Sequence, residues 1–379
     1  MHSLNNIGAV ILAAGLSTRM QQFKPLLPFA EGTVIEQAIH SILSCGIKQL
    51  TVVTGFHSAE VVQVVGKLHV ACIVNVNYHQ GMFFSVMAGL QSCDESTEAI
   101  LLLPGDMPLV KRHTIRRVIR AYDKSGADVV YPVFEGQRGH PPLISRRCFP
   151  AILQGGPTDT LRTILSRFEP AAAEVEVMDA GIVTDVDTPA DYQDAIRRYA
   201  LRHCPTVSEC CALLARLKTP SHIVKHGLAV AKVAQKLAIC LRKAGVECNQ
   251  DYILAAAILH DIAKRRPNHA QAGSRLLSRI GYQPVANIIS GHTDIWFQAG
   301  DPINEAAVLY LADKLVQQDS IVTLQERFQP ALSRYGAEPQ SLAAVRRRLS
   351  WAEAIQTQIE SVTGVVVDNL CHRGLEGEL

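Results

Sequence analysis

The chain has 379 residues, a formal charge of +2 and a composition that is 48% hydrophobic and 19% charged. That length exceeds what one core usually covers, so two domains are expected, while the small charge gives no general pull toward nucleic acid or an anionic membrane. No apolar run reaches membrane-spanning length, and the ten cysteines show no C-x-x-C pair, which argues against a disulfide framework or a cysteine zinc site and favours the cytoplasm.

The apolar run Ile7–Leu16 is short, has no Lys or Arg before it and has cations after it, so it does not fit a secretory signal. Within it, "GAVILAA" predicts a buried strand that breaks at Gly15 into a loop carrying Arg19 and Lys24. Further strands are predicted at "QLTVVTG", "ACIVNVN", "AILLLPGD", "ADVVYPV" and "VEVMDAG", with helical spacing at Val34–Cys45 and His113–Ser125. This alternation predicts a Rossmann-like α/β domain over residues 1–200, with a mostly parallel sheet and ligands at the C-terminal strand ends. Within "RRYALRHCPTVSEC" a closing helix gives way to a Pro and a Thr/Ser turn, and beyond it the pattern is all helical.

Three features of the first half carry chemistry. Backbone N–H groups in the turn after the first strand can hold phosphate, and Arg19 and Lys24 add positive charge there. The spacing is neither G-x-x-x-x-G-K-[ST] nor G-x-G-x-x-G. Asp106, following Pro104 and Gly105 at a strand end, suits Mg²⁺, which takes few protein carboxylates. Asp185 and Asp187 follow another apolar run, although Thr188, Pro189 and Asp191 equally suit a helix start.

"LAAGLSTRM" with Lys24, "PGDMP", "RGHPPLISR" and "TDVDTPADY" resemble, in order, the motifs of the MobA-like nucleotidyltransferases, above all the molybdenum cofactor cytidylyltransferases, over about residues 7–200. The resemblance implies attack by the phosphate of molybdopterin, or of its metal-loaded form, on the α-phosphate of CTP. It implies that Leu12, Ala13, Ala14 and Gly15 approach the nucleotide, that Arg19 and Lys24 hold its phosphates, and that Asp106 ligates Mg²⁺ with Asp187 as a second ligand. Gly139, His140 and Pro141 would lie on the pterin side, and maturation proteins of molybdenum hydroxylases would be partners. The Ala-Ala-Gly form favours CTP over GTP by analogy. Two departures bear on the acceptor: Gln21 stands where the family has glycine, and Phe83 and Phe84 in "GMFFS" replace small polar residues, which would narrow or re-shape the acceptor pocket.

In the second half, His226, His260, Asp261, His269, His292 and Asp313 are distributed over helical segments such as "YILAAAILHDIAK" and "EAAVLYLADKLVQQ". Burying adjacent His260 and Asp261 behind a run of Ala, Ile and Leu is costly without a partner, and a divalent ion supplies one. Imidazole and carboxylate together suit Fe, Mn, Zn or Ni better than Mg. Helical spacing puts Lys264 on one face with His260 and Asp261, where its ammonium would meet a phosphate. Arg346, Arg347 and Arg348 read as a solvated helix face, and the tail after about Val365 reads as unstructured.

The ligand order resembles the HD-domain metal-dependent phosphohydrolases. It implies an all-α HD domain, placed at residues 206–365, in which His226, His260, Asp261 and Asp313 bind a metal such as Fe or Mn. His269 and His292 look like the added ligands of two-metal members, with Asp261 as bridge, and Asp261 and Lys264 would act in catalysis beside Arg19, Lys24 and Asp106 of the first half. Two other readings stay open: a sugar or alditol phosphate as acceptor, and an HD domain that binds nucleotide to regulate the transferase without turnover.

Overall fold

The computed structural model describes residues 6–20 and 22–372, so Gln21 lies outside the described residues. Contacts divide the chain into two compact units, one ending at Arg202 and the next beginning at His203. Among the described residues no helix is long and apolar enough to cross a membrane.

The first unit runs β1 (Ile7–Ala13), the hairpin β2 (Pro28–Phe29) and β3 (Gly32–Thr33), α1 (Val34–Leu43), β4 (Gln49–Thr54), α2 (Ser58–Gly66), β5 (Ala71–Val74) and α3 (Met82–Gln91). It continues with β6 (Ala99–Pro104), α4 (Arg112–Ser125), β7 (Val129–Phe134), β8 (Gln137–Arg138), β9 (Leu143–Ser145), α5 (Phe149–Leu153), α6 (Leu161–Leu165), β10 (Ala172–Glu176) and α7 (Pro189–Ala200). The main sheet has the order β10-β7-β9-β6-β1-β4-β5, with β8 paired to β7. β1 lies parallel to β4 and β6, β4 to β5 and β10 to β7, whereas β9 is antiparallel to both neighbours.

The apolar strands are continuous because the sheet is covered on both faces. Ile7, Ala9, Ile11 and Ala13 of β1 join Ala99, Leu101 and Leu103 of β6 in one core with α1 and α4. The alternate residues Val10, Ile100 and Leu102 join the opposite core with Phe83, Val86 and Leu90 of α3. Phe83 is therefore a core side chain, and a Cβ on Gly155 would lie 2.6 Å from its ring. The expectation that Phe83 narrows an acceptor pocket is corrected on that ground.

Two strand expectations also change. The last strand begins at Ala172 and ends at Glu176, since its register against β7 pairs Ala172 with Val129 and Glu176 with Val133. The rest of "VEVMDAG" leaves the ladder, and the buried Asp179 accepts hydrogen bonds from the Lys111 and Gly181 amides and the Thr114 hydroxyl. "PPLIS", not anticipated as a strand, supplies the antiparallel β9.

The second unit holds α8 (Val207–Arg216), α9 (Ser221–Lys243), α10 (Gln250–Leu259), α11 (His269–Arg279), α12 (Gln283–Ser290) and α13 (Glu305–Lys314). A short hairpin, β11 (Val316–Gln317) and β12 (Ser320–Ile321), precedes α14 (Leu324–Arg334), α15 (Pro339–Thr363) and α16 (Val367–His372). The helix α16 corrects the reading of the tail as unstructured up to the last described residue. α13 is buried from Ala307 through Lys314, as expected of a central helix apolar on nearly every side.

α9 approaches α10 at Gly227, where a Cβ would lie 2.8 Å from the Ile258 carbonyl oxygen. Gly227→Ala should therefore cost about 1–3 kcal/mol by overpacking, and a urea unfolding curve that matches wild type would contradict this close approach.

Candidate functional site

In the first unit, Leu12 and Ala13 end β1, and Ala14 and Gly15 follow it. The next two turns carry the cations: Arg19 in a 3₁₀ turn at Thr18–Met20 and Lys24 at the start of another, Lys24–Leu26. Asp106 sits two residues past β6, where Gly105 N–H donates to the Leu12 carbonyl over 2.8 Å and ties the two strand ends together. A Cβ on Gly105 would lie 2.9 Å from that carbonyl, so glycine is what lets Asp106 come this near.

The Thr188 side chain caps α7 and forms a capping box with Asp191, which leaves Asp187 free of capping duty. Asp187 instead receives both cations: Lys24 Nζ contacts Oδ1, and Arg19 Nη1 lies 2.5 Å from Oδ2. Lys24 Nζ is also 3.3 Å from Asp106 Oδ2. Two carboxylates far apart in sequence thus share one buried ammonium, while Arg19, 71% exposed, reaches outward. Burial raises the Asp106 pKa, and the attraction of Lys24 only partly offsets it. Such hard oxygen donors at a loop rich in N–H groups fit Mg²⁺.

Gly139, His140 and Pro141 lie between β8 and β9. The Gly139 and His140 amides donate to the Pro132 and Ile182 carbonyls at 2.9 and 2.8 Å. Burial lowers the pKa of His140, against smaller opposing influences from the Leu102 carbonyl, Asp106 and Asp185. No direct contact joins these three residues to Lys24 among the described interactions.

In the second unit all six anticipated ligands come together. His226 Nδ1 donates to the Gln318 carbonyl at 2.7 Å, His260 Nδ1 to Ala257 at 2.8 Å and His292 Nδ1 to Ile289 at 2.7 Å. With Nδ1 engaged in this way, each of these rings turns its Nε2 toward the centre. The Nε2 atoms lie among carboxylates and a further imidazole. His226 and His260 Nε2 lie 3.1 and 3.4 Å from Asp313 Oδ1, and His260 Nε2 lies 3.6 Å from Asp261 Oδ2. His269 and His292 Nε2 lie 3.1 and 3.4 Å from Asp261 Oδ1 and 3.1 Å from each other.

The two oxygens of Asp261 therefore face different histidine sets. His226, His260 and Asp261 form one group whose ligand atoms lie within 4.8 Å of one another, and Asp261, His269 and His292 form a second. His260 Nε2 is buried with no hydrogen-bond partner. Burial opposes protonation of His260, yet Asp313 and Asp261 outweigh it and raise its pKa. Burial likewise opposes charge on both carboxylates. His292, His260 and Lys264 nevertheless hold Asp261 well below the usual range, as Lys314, His226 and His260 do Asp313. A buried orphan nitrogen and carboxylates poised as anions are the donor set a divalent cation requires, and mixed N/O chemistry fits Fe or Mn.

Lys264 requires a correction. α10 ends at Leu259, and the chain continues through tight turns in which Ile262 N–H donates to Leu259 and Lys264 N–H to Asp261. The His260 ring occupies the Ala257 carbonyl that the next helical amide would use. Lys264 therefore does not share a helical face with His260, but its half-exposed ammonium still lies 3.0 Å from Asp261 Oδ2. Sequence reasoning missed Lys314: its buried ammonium is 2.5 Å from Asp313 Oδ2 and donates to the His292 carbonyl at 3.1 Å. The signal was a lysine beside a ligand aspartate on an otherwise apolar helix.

Comparison with known proteins agrees with both halves. Residues 9–173 match the MobA-like NTP transferase domain, and residues 223–317 match the HD domain. The molybdenum cofactor cytidylyltransferase of Escherichia coli (strain K12) is 30% identical over 197 residues, 52% of this chain and 98% of that protein. The bifunctional protein GlmU of Syntrophotalea carbinolica is 31% identical over 127 residues, 33% of this chain but only 27% of its own length. A crystal structure of Rv0371c from Mycobacterium tuberculosis H37Rv is 25% identical, with a TM-score of 0.47 over 52% of this chain and 99% of that one. The molecule is thus a nucleotidyltransferase followed by an HD domain, a module that implies divalent-metal binding. It belongs to the MobA-like NTP transferase family.

Lys24→Met should leave Asp106 without a cation, with Arg19 alone paired to Asp187, and cost about 1–3 kcal/mol at neutral pH. Because the folded pKa of Asp106 is already raised, stability falls as pH rises through that carboxylate's range, and the variant should steepen the fall. Urea unfolding at neutral and acidic pH checks this; an equal loss at both would contradict it.

Proposed function

We propose that residues 1–200 form a cytidylyltransferase for the molybdenum cofactor and that residues 206–365 form a metal-dependent phosphohydrolase, in a cytoplasmic protein. The observation that carries the first part is the Arg19–Asp187–Lys24–Asp106 cluster at the C-terminal strand ends, supported by the 30% identity to the Escherichia coli enzyme over nearly its whole length.

In this reading a phosphate oxygen of molybdopterin attacks the α-phosphorus of CTP, the bond to the bridging oxygen of the β-phosphate breaks, and pyrophosphate leaves. Such transfer needs positioning and charge neutralisation more than covalent help. Arg19 leans out to meet the triphosphate, and Lys24 exchanges its carboxylate partners for phosphate oxygens as substrate enters. The Leu12–Gly15 backbone lies against the nucleotide, and Gly139, His140 and Pro141 border the acceptor. Mg²⁺ held by Asp106 and Asp187 would supply further positive charge for the leaving group. Maturation proteins of molybdenum hydroxylases would receive the product.

The second part rests on Asp261, whose oxygens divide between two histidine sets. Divalent ions such as Fe or Mn held there would activate water and polarise a phosphoryl oxygen. The water oxygen ends on phosphorus, the ester P–O bond breaks, and a proton goes to the departing alkoxide. Lys264 holds a phosphate oxygen, while Lys314 keeps Asp313 ionised and in place.

With CTP, Mg²⁺ and molybdopterin, wild type should release pyrophosphate, and Asp106→Asn should do so about a hundredfold more slowly. Release only with a sugar phosphate would replace the acceptor. With Mn²⁺ or Fe²⁺, phosphate release from a nucleotide panel should fall to background in Asp261→Ala while pyrophosphate release is unchanged. Equal phosphate release in the two proteins would contradict hydrolysis at this centre.

A further inference from the structure

The loop after α12 begins at the ligand His292, 2% exposed, and re-enters the core at Phe297, 4% exposed. Between them Asp294 is clamped by a bidentate pair with Arg348 of α15, at 2.9 and 2.7 Å. The next large side chain, Trp296, is 74% exposed. An indole left in water forgoes the favourable burial of a large apolar surface, and this one is held there by a loop anchored at both ends.

Trp296 packs near Trp351 of α15, with ring centroids 6.4 Å apart and planes inclined at 59°. The Arg347 guanidinium lies over the Trp351 ring at 5.3 Å. These are the only two tryptophans in the chain.

The pair is wired to the metal centre by short contacts. Arg348 offers its carbonyl to the Tyr310 hydroxyl at 3.0 Å, Lys314 lies over the Tyr310 ring at 4.5 Å, and Lys314 binds the His292 carbonyl and Asp313. Trp296 lies four positions after His292, which bounds their Cα separation at roughly 14 Å. An open aromatic face, a guanidinium beside it and a metal-ligand cluster within that distance are the three things a nucleotide's base, anionic charge and reacting phosphate require.

We infer that Trp296, with Trp351 and Arg347, forms a stacking platform that selects nucleoside phosphates as the ligands of the HD centre. The inference rests on the phosphohydrolase reading for the fate of the ligand, but not for its binding. Arg347 belongs to the platform, which revises its reading as a merely solvated cation.

Intrinsic fluorescence tests binding directly, because both emitting residues lie in the platform. The intact chain with Mn²⁺ is titrated with CMP, GMP and ribose 5-phosphate. Saturable quenching by CMP and GMP but not by ribose 5-phosphate is expected. In Trp296→Ala, followed through Trp351, nucleotide affinity should fall about tenfold or more, since one base stacked on an aromatic is worth about 1–3 kcal/mol. Phosphate release from the nucleotides should fall by a similar factor in kcat/KM, with release from ribose 5-phosphate unchanged. No quenching by either nucleotide, equal quenching by ribose 5-phosphate, or unaltered nucleotide affinity in Trp296→Ala would each overturn the platform. Ring-dependent quenching with no phosphate release from any compound would keep the platform and overturn the hydrolase reading. Hydrolysis indifferent to the ring would do the reverse.

Discussion

Imidazole nitrogens and carboxylates that crowd together in a buried gap govern the second unit. Three backbone carbonyls take the Nδ1 protons of His226, His260 and His292, and each ring is left presenting Nε2 to a carboxylate or to another imidazole. Without a proton or a cation between them, such contacts are repulsive in a medium where charge is poorly screened. Helices α9, α10 and α13 supply the rigid, apolar walls that keep the gap closed, with α13 buried along nearly its full length. Asp261 stands at the junction, one oxygen toward each histidine set.

The first unit meets a related difficulty with a protein side chain. Asp106 and Asp187 converge on the Lys24 ammonium, and the largely exposed Arg19 brings a second positive charge to Asp187. A buried lysine that can trade one anion for another suits a site through which a highly charged substrate passes. The imidazole-rich centre has no equivalent internal cation at its middle. Lys314 pairs with Asp313, and the half-exposed Lys264 reaches both oxygens of Asp261. This difference in counter-charge matches the difference in donor chemistry, hard oxygens in one unit and mixed nitrogen and oxygen in the other.

Much of this was legible in the chain. β-branched runs alternating with amphipathic segments announced a mostly parallel sheet, and the period-two division of β1 and β6 between two cores is the reason those runs are uninterrupted. The six metal-type residues stood out because imidazole and carboxylate are expensive to bury on helices as apolar as α10 and α13. What pattern could not reveal was where local hydrogen bonds override it. "YILAAAILHDIAK" has helical spacing throughout, yet the His260 side chain takes the Ala257 carbonyl and the helix stops at Leu259. "VEVMDAG" reads as a strand, yet the strand starts at Ala172 and buried Asp179 serves amides and a hydroxyl outside the ladder. Lys314 escaped because a lysine is ordinarily a surface residue, and only the packing of α13 gives it two buried acceptors.

The central claim is that Asp261 joins two adjacent cation positions. Electron paramagnetic resonance of the intact chain titrated with Mn²⁺ tests it most directly, since a carboxylate shared by two ions couples their spins. The account predicts a spin-coupled spectrum that grows in as the second equivalent binds. A spectrum of isolated, uncoupled Mn²⁺ at every loading would contradict it.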